Sequence, residues 1–168
     1  VTESFLKTAC EYGMNCVLTP IFTPPLDTEI GKERPTVQLV DVYLDNGKYS
    51  FNFAKLTQWI EMANRCGVEH FELAHFYTQW GAKHAPKIMA TVDGKYKQIF
   101  GWRTRANSRK YKNFLSALSV ELKKYFEANG MSFNSRYLIF DTFVESISEI
   151  SEVQEQKTIM LRYFVDMA

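Results

Sequence analysis

Cysteine is scarce in this sequence, and the few cysteines do not form a recognisable framework. There are three, Cys10, Cys16 and Cys66, an odd number without the paired spacing of a disulfide scaffold or a zinc site. Each lies beside or within a predicted core element. We therefore expect reduced, buried thiols and a cytoplasmic protein.

Excess charge of either sign is also absent, since 20 basic residues face 19 acidic ones. This near balance argues against a nucleic-acid-binding protein. The longest apolar runs have the length of strands, which excludes a membrane-spanning helix. No signal-peptide pattern begins at Val1, although the chain does not start with Met.

Histidine offers little evidence for a metal centre. A site built from His70, His75 and His84 would need further ligands, and no carboxylate is patterned with these residues. We expect neither a bound metal nor another cofactor.

What the sequence does contain is one local pattern that occurs three times: an amphipathic helix, a glycine and an apolar strand. Helices are predicted near residues 3–12, 53–65 and 109–128, and strands near residues 14–19, 68–75 and 136–141. Gly13, Gly67 and Gly130 follow the helices, where glycine accepts the left-handed backbone of a helix end. Alternating helices and strands predict an α/β fold with a parallel sheet.

The helix boundaries rest on caps and apolar stripes. Asn52 is the predicted N-cap of the second helix, whose apolar face includes Trp59 in a structural role. The third helix carries a longer apolar stripe, formed by Phe114, Leu118, Leu122, Tyr125 and Phe126. A closing helix is predicted over residues 146–167.

Long insertions follow the strands, whereas the turns from helix to strand are short. A proline-rich loop over residues 19–35 precedes a predicted hairpin, with strands at 36–43 and 48–53 and an Asp45-Asn46-Gly47 turn. A polar stretch up to Arg105 follows the second strand. In α/β barrels the active site lies among such loops, at the carboxyl ends of the strands. We expect the function on that face.

Three to four βα units are too few for a closed barrel of eight. The sequence therefore predicts a single domain over residues 1–168, with a partial (β/α)8 barrel and an inserted hairpin. It would be a segment of a larger protein, or would pair with another copy through its open sheet edges.

The loop from His75 to Pro86 mixes aromatic rings with polar groups. Flat apolar faces beside directional hydrogen-bonding groups suit a sugar ring, although aromatic side chains of a loop can equally pack on the sheet. The residues that we assign to substrate binding are His75, Tyr77, Gln79, Trp80 and, further along the chain, Trp102.

Four ordered motifs resemble a known family. They are TPIFTPPLDT at residues 19–28, ERPTVQLV at 33–40, FYTQWGA at 76–82 and IFGW at 99–102. Together they are similar to the catalytic (β/α)8 domain of glycoside hydrolase 123, also known as a domain of unknown function in bacterial proteins. The resemblance implies a carbohydrate ligand and retaining hydrolysis of β-N-acetylgalactosaminides. In that substrate-assisted mechanism, the 2-acetamido oxygen of the substrate attacks the anomeric carbon.

The family's catalytic pair is an aspartate that orients the acetamido group, followed by a glutamate that protonates the leaving oxygen. In the matching strand, Asp141 corresponds to the aspartate, but Thr142 occupies the position of the acid. Threonine has no useful acidity near neutral pH, and general acid catalysis contributes roughly 10²- to 10⁴-fold. Glu145 is a weaker candidate for the acid, because it falls at a predicted helix start, where a carboxylate more often complements the helix dipole.

These observations predict an N-acetylhexosamine glycosidase with impaired catalysis. Two alternatives remain open: a carbohydrate-binding protein without hydrolysis, and a self-associating fragment of a larger barrel.

Overall fold

In a computed structural model of the chain, the structure describes residues 1–22, 32, 37–74, 76–78 and 83–131, together with the backbone of 138–140. Within these residues there are three helices and seven strands. In chain order they are α1 (Thr2–Glu11), β1 (Cys16–Thr19), β2 (Asp41–Asp45), β3 (Lys48–Asn52), α2 (Ala54–Cys66), β4 (His70–Leu73), β5 (Ile88–Val92), β6 (Lys95–Phe100), α3 (Arg109–Ala128) and β7 (Leu138–Phe140). The predicted closing helix over residues 146–167 lies outside the described residues.

Three of the strands form a parallel sheet in the order β1-β4-β7. Helix α2 lies between β1 and β4 in the chain, and α3 lies between β4 and β7, so the predicted alternation is confirmed. The predicted partial barrel is confirmed only as a mixed α/β fold. Three adjacent strands cannot close on themselves, and the described residues contain no closed barrel.

The two insertions form a second sheet, which the sequence analysis missed. Its order is β3-β2-β5-β6, with β2 and β5 parallel and both hairpins antiparallel. We predicted one hairpin and treated the residues up to Arg105 as a polar loop. That prediction was wrong, because residues 88–100 form a second hairpin around Asp93 and Gly94, both with positive φ. Such an Asp-Gly pair is a strong hairpin signal.

The turn of the first hairpin is as predicted, but its first strand begins later than predicted. Asn46 and Gly47 both have positive φ, as the tight Asn-Gly turn requires. The first strand begins at Asp41 instead of residue 36. Before β2, the Gln38 side chain takes the place of a paired backbone. Its Oε1 accepts a hydrogen bond from Met89 N at 3.0 Å, and its Nε2 donates to Met89 O at 2.8 Å.

Helix α2 begins one residue later than predicted. Its N-cap residue is Phe53, but the predicted cap still acts, because Asn52 Oδ1 accepts a hydrogen bond from Ala54 N at 2.8 Å. The helix ends at Gly67, where φ is 104° and Val68 N donates to Ala63 O. This left-handed residue turns the chain directly into the approach to β4.

Replacing Gly67 with alanine should destabilise the protein by about 1–3 kcal/mol, because a side chain at this φ is strained. The new Cβ would also lie 3.3 Å from Cys10 Cβ, which is a tight contact. The matched control is Gly130→Ala, where φ is 68° and no atom of the described residues lies within 4 Å of the new Cβ. Urea denaturation should show a larger loss for Gly67→Ala. Equal losses would mean that the contact with Cys10 contributes nothing.

Helix α3 has the predicted bounds and connects the two sheets. Phe114, Leu118, Leu122 and Phe126 of the predicted stripe are buried, and Tyr125 is half-buried. The Phe114 ring is the centre of an aromatic cluster that joins the second sheet to the segment that follows β1. Its neighbours, with centroid distances between 5.0 and 5.9 Å, are Phe22, Tyr49, Phe51, Phe100 and Tyr111.

Trp59 has the structural role predicted for it within helix α2. Its Nε1 atom donates to Thr19 Oγ1 at 3.2 Å.

All three cysteines are free and only half-buried. Burial, and to a smaller extent the charge of Glu72, raises the pKa of the Cys16 thiol. No helix within the described residues is sufficiently long and apolar to cross a membrane.

Candidate functional site

The carboxyl ends of β1, β4 and β7 lie side by side. Thr19 pairs with Leu73, Leu73 pairs with Phe140, and Ala74 N donates to Thr19 O at 2.9 Å. The segments that continue from these strands therefore start at one edge of the sheet. Asp141 directly follows Phe140 in the chain, although Asp141 and Thr142 themselves lie outside the described residues.

The segment that leaves β4 is anchored in the core. Phe76 and Tyr77 are both buried, and the Tyr111 hydroxyl of α3 donates to the Phe76 carbonyl oxygen. Burial, with a smaller effect of Tyr77, raises the pKa of Tyr111 well above its ordinary value. Tyr111 therefore stays protonated and remains a donor at physiological pH. The Tyr77 ring packs edge-on against Tyr111 at 6.0 Å.

Hydrogen bonds close the base of the loop that follows. Thr78 N donates to His84 O at 2.9 Å, and His84 N donates to Thr78 Oγ1 at 3.3 Å. The ends of the loop over residues 79–82 are thereby held together. Gln79 and Trp80, which we predicted to bind substrate, belong to this loop and lie outside the described residues, as does His75.

The loop after β6 lies against the base of this first loop. Ala85 N donates to Thr104 O at 2.9 Å, Ala106 N donates to Lys83 O at 3.0 Å, and His84 forms an isolated antiparallel bridge with Arg105. Residues 83–85 and 104–106 thus run alongside each other. The pairing gives residues 101–106 a fixed position relative to the β4 loop.

Trp102 lies where three connecting segments meet. Its indole Nε1 donates to Lys32 O in the insertion after β1, and its ring centroid is 5.5 Å from that of His84. Trp102 remains partly exposed. Of the substrate residues predicted from the sequence, the described structure contains Trp102 and Tyr77, and only Trp102 is partly exposed.

His84 is a site residue that the sequence reasoning considered only as a metal ligand. Its Nδ1 atom is buried and has no hydrogen-bond partner among the described residues. Its position beside Trp102 depends on the pairing with Arg105, a long-range contact that no local pattern reveals. The described part of the chain gathers no group of three His, Cys, Asp or Glu side chains suited to a metal ion.

These features define an α/β protein whose connecting loops meet at the carboxyl edge of a parallel sheet. The sequence model of the glycoside hydrolase 123 catalytic domain matches residues 1–163. The chain belongs to this family, which confirms the resemblance carried by the four motifs.

One similar solved structure is that of a family 123 glycoside hydrolase from Clostridium perfringens, solved to give the details of glycolipid glycan hydrolysis. The TM-score is 0.56 at 14% sequence identity, over 77% of this chain and 22% of the other. The likeness therefore concerns the fold, and this chain spans less than a quarter of the clostridial chain. Among curated proteins, none matches this chain significantly.

Proposed function

We propose that the chain contributes the substrate side of a family 123 glycoside hydrolase that acts on β-N-acetylgalactosaminides, with catalysis impaired at Thr142. The observation that carries this proposal is the pairing of β4 with β7. The loop beginning at His75 and the Asp141-Thr142 pair follow neighbouring strands at the same edge of the sheet. The family match includes both segments.

In the proposed reaction, the Asp141 carboxylate orients the substrate's 2-acetamido group. The acetamido oxygen then forms a bond to the anomeric carbon while the bond to the leaving oxygen breaks. That oxygen must gain a proton, which a carboxylic acid supplies in this class of mechanism. The Thr142 hydroxyl cannot supply it near neutral pH, so cleavage should depend strongly on the leaving group.

We assign the sugar contacts to the loops around Trp102. The indoles of Trp102 and Trp80 would stack on a sugar face, and His75 and Gln79 would hold the hydroxyl and acetamido groups. Tyr77 was predicted to bind substrate directly. Because its side chain is buried beside Tyr111, we now propose that it supports the loop from the core side.

We also propose that the three parallel strands form one sector of a larger (β/α)8 barrel. Their sequential order agrees with such a sector, and the chain covers 22% of the clostridial enzyme. The remaining strands would come from a longer chain or from a second copy that pairs with the open edges.

The decisive test compares leaving groups. 2,4-Dinitrophenyl β-N-acetylgalactosaminide needs little acid assistance and should be hydrolysed. The methyl glycoside should react much more slowly, and the ratio of the two enzymatic rates should exceed the ratio of the two uncatalysed rates. Asp141→Asn should abolish turnover of the activated substrate, because the acetamido group loses its orienting charge. Initial rates are measured from the released dinitrophenol for the activated substrate and from the released sugar for the methyl glycoside. Efficient turnover of the methyl glycoside would contradict the proposed lack of an acid.

Thr142 also favours one alternative function, namely sugar binding without hydrolysis. In that case no aryl glycoside would be turned over, but N-acetylgalactosamine would bind saturably, and Asp141→Ala would abolish the binding. Absence of both turnover and binding, together with concentration-dependent association, would support the fragment hypothesis instead.

A further inference from the structure

Positive charge is concentrated in one stretch of the chain, although the whole sequence carries a net charge of only +1. Between Glu72 and Glu121 the sequence has a single acidic residue, Asp93, and nine basic ones. These are Lys83, Lys87, Lys95, Lys97, Arg103, Arg105, Arg109, Lys110 and Lys112. The stretch contains the β5–β6 hairpin and both loops that meet at Trp102.

The fold places three of these basic residues on the two paired backbone segments beside Trp102. Lys83 accepts a backbone hydrogen bond from Ala106, while Arg105 pairs with His84 and Arg103 directly follows the tryptophan. We call Lys83, Arg103 and Arg105 the cationic cluster. All three side chains are exposed, and no carboxylate of the described residues forms an ion pair with them.

The acidic residue of this stretch cannot neutralise the cluster. Asp93 lies in the turn of the β5–β6 hairpin, at the far end from Ile88 and Phe100. The five residues of β5 span about 15 Å, which exceeds the Debye length of roughly 8 Å at physiological salt.

The combination of a partly exposed tryptophan and neighbouring basic residues indicates the kind of ligand. A neutral sugar would use the ring alone, whereas a sulfate or carboxylate group can also accept hydrogen bonds from Arg103 and Arg105. We infer that this site takes acidic glycans, in which the sugar over Trp102 carries or adjoins a sulfate or carboxylate bound by the cationic cluster. The inference deepens the proposed function and rests on it.

The experiment compares N-acetylgalactosamine 6-sulfate with neutral N-acetylgalactosamine by ligand-observed NMR titration of the purified protein. The sulfated sugar should bind about 5- to 30-fold more tightly at low salt, and the preference should shrink as added salt screens the charges. The double variant Arg103→Gln/Arg105→Gln should reduce the preference to near unity and leave the affinity for the neutral sugar unchanged.

The matched control is Lys95→Gln/Lys97→Gln, which removes the same charge from exposed positions on the edge strand β6. It should keep the preference. Equal losses in the two double variants would overturn the inference, because only net charge would then act. Equal affinity for both sugars, or inorganic sulfate binding as tightly as the sulfated sugar, would overturn it and leave the proposed function standing. If neither sugar binds, both are wrong.

Discussion

Replacing Thr142 with glutamate should raise the rate of hydrolysis of methyl β-N-acetylgalactosaminide by about 10²- to 10⁴-fold, the usual contribution of a general acid. The substitution places a protonatable oxygen next to Asp141, where the proposed mechanism needs an acid. Activated aryl substrates should gain much less, since their leaving groups need little proton transfer. The ratio of the two rate gains therefore reports acid catalysis directly.

The dependence on pH gives an independent readout. The introduced acid works only while it is protonated, so the rate on the methyl glycoside should fall as pH rises through its pKa. The control is Thr142→Gln, which has nearly the same size but no acidic proton and should gain nothing. Glu145→Gln, made separately, tests the other carboxyl. A large loss of wild-type activity in that variant would identify Glu145 as the acid and contradict the role assigned to position 142.

The elements that the sequence predicted best are those specified by local chemistry. Helix α3 begins after Ser108, whose hydroxyl accepts from Tyr111 N, and its apolar stripe continues to Phe126, close to a polar C-terminus. Such a pattern fixes both ends. The Asn46-Gly47 turn was predictable for a similar reason, since few residues other than asparagine and glycine accept two successive positive φ angles.

The second sheet shows where local reasoning failed. The Asp93-Gly94 turn signal was present, but the strand that follows it, β6, is polar, with Lys95, Tyr96 and Lys97 exposed at the edge of the sheet. A strand of this kind lacks the apolar alternation that marks a half-buried strand. The parallel pairing of β2 with β5 joins segments about 45 residues apart. No local pattern indicates such a partner.

For the candidate site, residue chemistry alone could not separate surface aromatic side chains from core ones, and the assigned binding roles stay predictions. Trp102 was assigned to the site and does lie at a junction of loops, partly exposed. Tyr77 was assigned on the same grounds but is buried against Tyr111. An aromatic side chain fits a sugar face and a hydrophobic core equally well, so its orientation depends on tertiary contacts. His84 gained its place through backbone pairing with Arg105, which the sequence does not encode locally.

The aromatic cluster explains how the second sheet supports the site. Phe22 follows β1, and Phe100 precedes the Trp102 loop, and both rings contact Phe114 of α3. Tyr111, one turn before Phe114, holds the Phe76 carbonyl. One face of helix α3 therefore holds the loops at the strand ends in position from the core side. Damage to that face should affect both stability and sugar binding.

Phe114→Ala should accordingly lower the free energy of unfolding by about 3–5 kcal/mol, the usual cost of truncating a fully buried phenylalanine. The Phe114 ring is fully buried and contacts five aromatic neighbours. Removing it leaves a cavity that these neighbours cannot all move to fill. Urea denaturation measures the loss. N-acetylgalactosamine should also bind more weakly, because Phe22 and Phe100 lose the surface that positions the adjoining loops.

Phe5→Ala is the control, since this phenylalanine on α1 is 77% exposed and its removal should change stability by less than about 0.5 kcal/mol. Phe114→Leu should lie between the two, because it keeps apolar volume but loses the edge-on ring contacts. A loss below 1 kcal/mol for Phe114→Ala would show that the two sheets do not depend on this ring. Unchanged sugar binding despite a large loss of stability would separate the aromatic cluster from the site, and the loops would then be positioned by their backbone hydrogen bonds alone.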